Sequence, residues 1–180
     1  YSRIMVEKGR EEAVKFTNKI ITAVLFGSMV VTFLGVIFAR PIVSFIAMGF
    51  KGEALKLAVG FTRLAFPMVI FIGLSNIFQG FLQSNSEFAV PALIGIPYNF
   101  IIIAALFLHD MVGPYGLVAA TLAGSALQLL LLLIYAFQKG YRYRTVIDLK
   151  DGDVIKVASL SVPVMMGAAV QQLNTLIDRM

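Results

Sequence analysis

The chain has 180 residues, 59% of them hydrophobic and only 14% charged, with a net charge of +5. A soluble domain carries about 25% charged residues and cannot hide this much apolar surface, so the composition argues for a membrane protein. Cysteine is absent and His109 is the single histidine, which removes disulfides, thiol catalysis, His-paired nucleophiles and Cys or multi-His metal sites. In a membrane protein the basic excess sets topology and contacts anionic lipid; it does not call for nucleic acid.

Residues 1–19 are polar and mixed in sign, with Arg3, Lys8, Arg10, Lys15 and Lys19 among Glu7, Glu11 and Glu12. Glu11 and Lys15 stand at i,i+4, which suits a solvated helix leading into the bilayer. The opening residues lack the pattern of a signal peptide, and Met180 directly follows an apolar segment, so an internal piece of a longer protein is expected.

Five apolar segments follow. Segment A, 20–39, carries no charge; at 1.5 Å per residue it measures about 30 Å, the thickness of the hydrocarbon layer. Pro41 is expected to stop it, and Gly27, Ser28 and Gly35 offer a close helix contact. Residues 40–63 hold an apolar run too short to span, expected at the interface. Segment B, 53–82, contains Pro67 and should kink there. Its Asn76 and Gln79 lie three apart on one face, which lipid would turn inward.

A polar joint, Gln83 to Glu87, is so short that segments B and C must lie antiparallel as neighbours. Segment C, 88–108, has Pro91 in its first turn and Pro97 inside. Pro97 should kink the helix and free a carbonyl about one turn earlier, with Asn99 near enough to help satisfy it. Residues 109–114 read as a short turn. Segment D, 115–137, spaces Gly116, Ala120 and Gly124 four apart as a packing stripe, and Tyr135 and Tyr141 are candidate interfacial anchors. A basic link, 138–156, follows, with Asp153 placed to cap the next helix. Segment E, 157–177, contains Pro163, where a kink is expected, and is the most polar of the five. Gln171, Asn174 and Asp178 share one of its faces and are candidates to line a cavity.

Alternation places links 1–19, 83–87 and 138–156 on one side with ten Lys and Arg, against four in 40–63 and none in 109–114. The first side is therefore cytoplasmic. The sequence has no Walker motif, metal-ligand cluster or catalytic set, so it reads as a non-enzyme without cofactor or metal.

The stretch Gly80-Phe81-Leu82-Gln83-Ser84 with Phe88-Ala89-Val90-Pro91-Ala92 and Asn99 resembles the joint between the fourth and fifth helices of the MurJ/MviN family, lipid II flippases of the MOP exporter superfamily. Pro41-Ile42-Val43 with Gly49-Phe50 resembles the family's segment after the third helix. Gly116-Leu117, Gly124 and Leu127-Gln128-Leu129 resemble its sixth helix, and Pro163 to Gly167 with Gln172-Leu173-Asn174 and Ile177-Asp178 its seventh. The resemblance implies an all-α, polytopic membrane bundle in which segments A to E are the third to seventh of about fourteen helices. Residues 1–137 would belong to the N-terminal lobe, 138–156 to a cytoplasmic inter-lobe link, and 157–180 to the first helix of the second lobe. It implies transport of lipid II, an undecaprenyl-pyrophosphate-linked disaccharide-pentapeptide, by alternating access across the bacterial inner membrane. Lipid II, membrane lipids and cell-wall synthesis proteins are the implied partners. The family's essential arginines lie in helices outside this stretch, so only Gln171, Asn174 and Asp178 fall on a helix bordering its cavity. A related polysaccharide-lipid or multidrug exporter and a non-transporting scaffold stay open as alternatives.

Overall fold

Most of the breaks between helices among the described residues lie close to a glycine or a proline. The computed structural model describes residues 1–144 and 152–177. Within them α1 (Ser2–Lys8), α2 (Arg10–Ile37), α3 (Ala39–Ile46), α4 (Gly52–Ala65), α5 (Met68–Ser84), α6 (Ala89–Leu93), α7 (Gly95–Phe107), α8 (His109–Gln138) and α9 (Gly152–Ile177) follow in order. The polar leader is helical as expected, but Gly9 at φ 87° divides it. In the leader Arg3 pairs with Glu7 at 2.9 Å, and Lys15 pairs with Glu12 at 3.3 Å where Glu11 was expected.

Segment A breaks at Phe38, three residues before Pro41. Pro41 instead occupies the first turn of α3, where its missing N–H has no intrahelical partner to lose. Segment B divides between α4 and α5 at Phe66-Pro67, as the proline required. That kink is seated on α2. Thr32 Oγ1 donates to the Phe66 carbonyl at 3.3 Å, Arg63 Nε donates to the Val36 carbonyl at 3.3 Å, and the Phe66 ring lies where a side chain on Gly35 would stand. Gly27 meets nothing comparable.

Segment C divides at Ile94 and not at Pro97 itself. A proline cannot donate to the carbonyl four residues back, here that of Leu93, and its ring crowds that turn, so the disruption lands a turn earlier. Asn99 Nδ2 does cap a carbonyl, that of Gly95 at 2.8 Å, one turn back from itself. In 109–114, expected to be a bare turn, residues 109–112 form a helical turn before Gly113 at φ 65° interrupts α8. Helix α9 begins at Gly152, which puts Asp153 inside its first turn, and its helical assignment passes through Pro163 without the break seen at Pro67.

Helix α8 is the hub, packing on α4, α5 and α7, while α5 also packs on α2. Ile21, Phe78, Phe81, Leu82, Ile94, Leu129, Leu132 and Ala136 form the main core. Gly124 lets α7 approach closely: a Cβ there would come within 2.9 Å of the Tyr98 ring. Gly116 faces Val112 of its own helix, so the expected stripe is only partly a helix–helix seam. Outside the core, Phe26, Phe33, Phe100 and Phe107 are exposed, as lipid-facing side chains of a spanning helix must be.

Four helices among the described residues are long and apolar enough to cross a membrane: Arg10–Ile37, Gly52–Ser84, Ala89–Phe107 and Asp110–Gln138. Helix α9 contributes a shorter apolar stretch, Val154–Pro163. The chain is thus a helical, multi-pass membrane protein.

Candidate functional site

A network of polar contacts lies at one end of the bundle, where residues 1–19, 83–87 and 138–144 meet. Helices α5 and α8 both end there, with the same backbone cap. At α5, Glu87 N–H bonds to Leu82 O at 2.9 Å and Ser86 N–H to Gln83 O at 3.0 Å. At α8, Tyr141 N–H bonds to Ala136 O and Gly140 N–H to Phe137 O, both at 3.0 Å. The cap needs a left-handed residue, supplied by Ser86 at φ 61° and Gly140 at φ 81°. It reverses the chain after α8 and drives Tyr141 back into the bundle.

Tyr141 is 1% exposed and is not the interfacial anchor the sequence suggested. Its ring meets those of Phe78 and Phe81 edge-on at 5.2 and 5.4 Å. Its hydroxyl donates to Asn18 Oδ1 at 2.6 Å, and Asn18 Nδ2 donates to the Arg142 carbonyl at 3.1 Å. Asn18, 2% exposed, is therefore satisfied on both sides of its amide, as burial demands. Burial, reinforced by the neighbouring Tyr143, holds the Tyr141 phenol well above its ordinary range. The phenol stays a neutral donor throughout the physiological range. Around this clamp Lys139 pairs with Glu87 at 2.9 Å, Arg10 donates to the Lys139 carbonyl, and Asn85 donates to the Tyr1 hydroxyl at 3.3 Å. Residues 1–19, 83–87 and 138–144 thus share one end. At the other, Phe61 packs edge-on against Tyr115 at 4.9 Å.

The candidates from sequence do not converge. Asn76 is exposed and lines a groove of about 270 Å³ between α2 and α5, with Thr17, Ile20 and Ser84. Gln79, half-buried, is not among the residues lining that groove. Asn99 is exposed on α7 and is spent on its own helix. Pro163, Gln171 and Asn174 are exposed on α9, which packs on α2; Asp178 lies outside the described residues. The sequence reading missed Asn18 and the inward role of Tyr141. A signal was present, since a helix followed by glycine and then a large apolar residue, Lys139-Gly140-Tyr141, is the pattern of this cap.

Helices of spanning length packed around a common hub, with polar groups gathered at one end, define a polytopic α-helical membrane protein. The family model described as lipid II flippase MurJ matches residues 1–180, and the chain belongs to that family. A lipid II flippase MurJ from Burkholderia cenocepacia is 30% identical over 132 residues, 71% of this chain and 26% of that protein. A probable lipid II flippase MurJ from Borreliella burgdorferi is 30% identical over 138 residues, 76% of this chain and 27% of its own. A solved structure of lipid II flippase MurJ in an inward closed conformation superimposes with a TM-score of 0.81 at 26% identity, over 98% of this chain and 37% of that one. The chain thus spans roughly a quarter to a third of the length of the curated relatives it matches.

Proposed function

We propose that this chain forms the third to seventh helices of a lipid II flippase that moves the undecaprenyl-pyrophosphate-linked disaccharide-pentapeptide across the bacterial inner membrane by alternating access. Residues 1–137 form part of the N-terminal lobe, 138–156 the cytoplasmic link, and 157–180 the first helix of the second lobe. The observation that carries this reading is the backbone agreement with the solved flippase over 98% of the chain. The packing supports the division into lobes. Helices α2, α5 and α8 bury one another around the main core and α3 and α4 pack in a second small cluster, whereas α9 rests on α2 and leaves Gln171, Gln172 and Asn174 exposed. Exposed amides on a membrane helix are costly against lipid, so this face belongs against protein or a water-filled cavity. Gln171, Asn174 and Asp178 would then line the substrate path, and Asn76, Gln79, Asn99 and the prolines Pro97 and Pro163 would serve packing and bending. No step here calls for a catalytic residue or a cofactor.

The test is the full-length parent protein in bacteria depleted of their own lipid II flippase. Restored growth together with lipid II reaching the outer leaflet supports the reading. Stable insertion with neither restored would shift it to a related exporter or a non-transporting scaffold.

A further inference from the structure

After α8 the chain leaves the helix, and residues 141–144 read Tyr-Arg-Tyr-Arg. The tyrosines turn toward α2: Tyr141 bonds Asn18, and the Tyr143 hydroxyl lies 3.5 Å from that of Thr22. The alternate positions, Arg142 and Arg144, line a cavity of about 490 Å³ together with Gly140 and with Arg10, Glu11, Val14, Lys15 and Asn18 of α2. Among the described residues, four cations thus face a single lining carboxylate. Like charges held together on folded backbone repel unless a counter-charge joins them. Among the described residues, part of that charge is answered by Lys15 pairing with Glu12 and Arg10 donating to the Lys139 carbonyl. The caps and the Tyr141–Asn18 clamp fix the backbone that carries these cations, so the pocket is built before any ligand arrives.

We propose that this cavity is a binding site for the phosphate of an anionic membrane lipid. Three guanidinium groups and an ammonium suit a phosphate, whose oxygens accept several charge-assisted bonds at once. The cavity lies where the spanning helices α2 and α8 emerge, on the side that the Lys and Arg count makes cytoplasmic, which is headgroup level. Val14 supplies an apolar wall beside the charged one. The inference stands apart from the transport reading, since it concerns binding alone.

The experiment uses the full-length parent in nanodiscs of phosphatidylcholine with and without phosphatidylglycerol, reading lipid retained by native mass spectrometry. The test variant Arg142→Gln/Arg144→Gln leaves Tyr141, Asn18 and Arg10 in place. The control, Arg3→Gln/Lys8→Gln, removes two cations from α1 at the same end but outside the cavity. We expect retained phosphatidylglycerol in the parent, a loss of roughly tenfold or more in affinity for the test pair, and little change for the control. Equal losses from both pairs would reduce the site to diffuse surface charge and overturn the proposal. So would unchanged retention in the test pair, or inorganic phosphate held as tightly by the parent in phosphatidylcholine alone. Thermal stability of each variant, measured in the same discs, separates a lost site from a lost fold.

Discussion

Helices α8 and α9 have similar lengths, 30 and 26 residues, and each contains a proline, yet they occupy opposite situations. Helix α8 is gripped on several sides, with Leu132 and Ala136 fully buried, and its end is locked by Gly140 and Tyr141. Helix α9 rests on α2 and shows its amides to the outside. The difference follows from sequence chemistry. The apolar run Leu129 to Leu133 and the small Gly124 give α8 both burial and close approach, whereas Gln171, Gln172 and Asn174 have no place in a core made by the preceding helices. One helix holds the body together; the other keeps its amides outside the core.

The strongest way to break this contrast is to hollow out the hub. Leu132→Ala removes a fully buried side chain and should cost about 2–5 kcal/mol, read as a lower unfolding temperature in detergent. Tyr141→Phe should cost about 1–3 kcal/mol by leaving the buried Asn18 oxygen without its donor. The clamp also has a pH signature. A phenol whose folded pKa is raised contributes stability that is complete below its ordinary value of 10.0 and is lost as pH rises through the folded value. Wild type should therefore lose stability relative to Tyr141→Phe in strongly alkaline buffer, and the two should run parallel below pH 10. Gly140→Ala should cost about 1–2 kcal/mol, since alanine resists the left-handed φ of 81°, and thermal melts would again report it. The smallest effect on stability belongs to α9: Gln171→Ala with Asn174→Ala should change it by no more than about 0.5 kcal/mol, while lowering transport by the full-length parent.

Much of the fold was legible because membrane spans obey one strong rule, about twenty apolar residues between polar links. The four long segments and the shared end of links 1–19, 83–87 and the described part of 138–156 followed from it, and the proline itself marked the kink at Pro67. The breaks at Phe38 and Ile94 were displaced from Pro41 and Pro97, because a proline disturbs the turn before it or sits harmlessly in a first turn. Less of the site was legible. Polar side chains within apolar segments drew attention to Asn76, Gln79 and Asn99, which proved scattered. Asn18 stood among the charges of a polar leader and looked solvated, and Tyr141 looked like an interfacial aromatic. Only the backbone cap, which folds the chain back after α8, brings those two together.

The measurement that bears most directly on the account is lipid II in the outer leaflet of cells depleted of their own flippase and carrying either the full-length parent or its Gln171→Ala/Asn174→Ala variant. The account predicts that the parent restores outer-leaflet lipid II and that the variant, inserted at equal level, restores less. A parent that inserts stably yet leaves lipid II on the inner leaflet would contradict it.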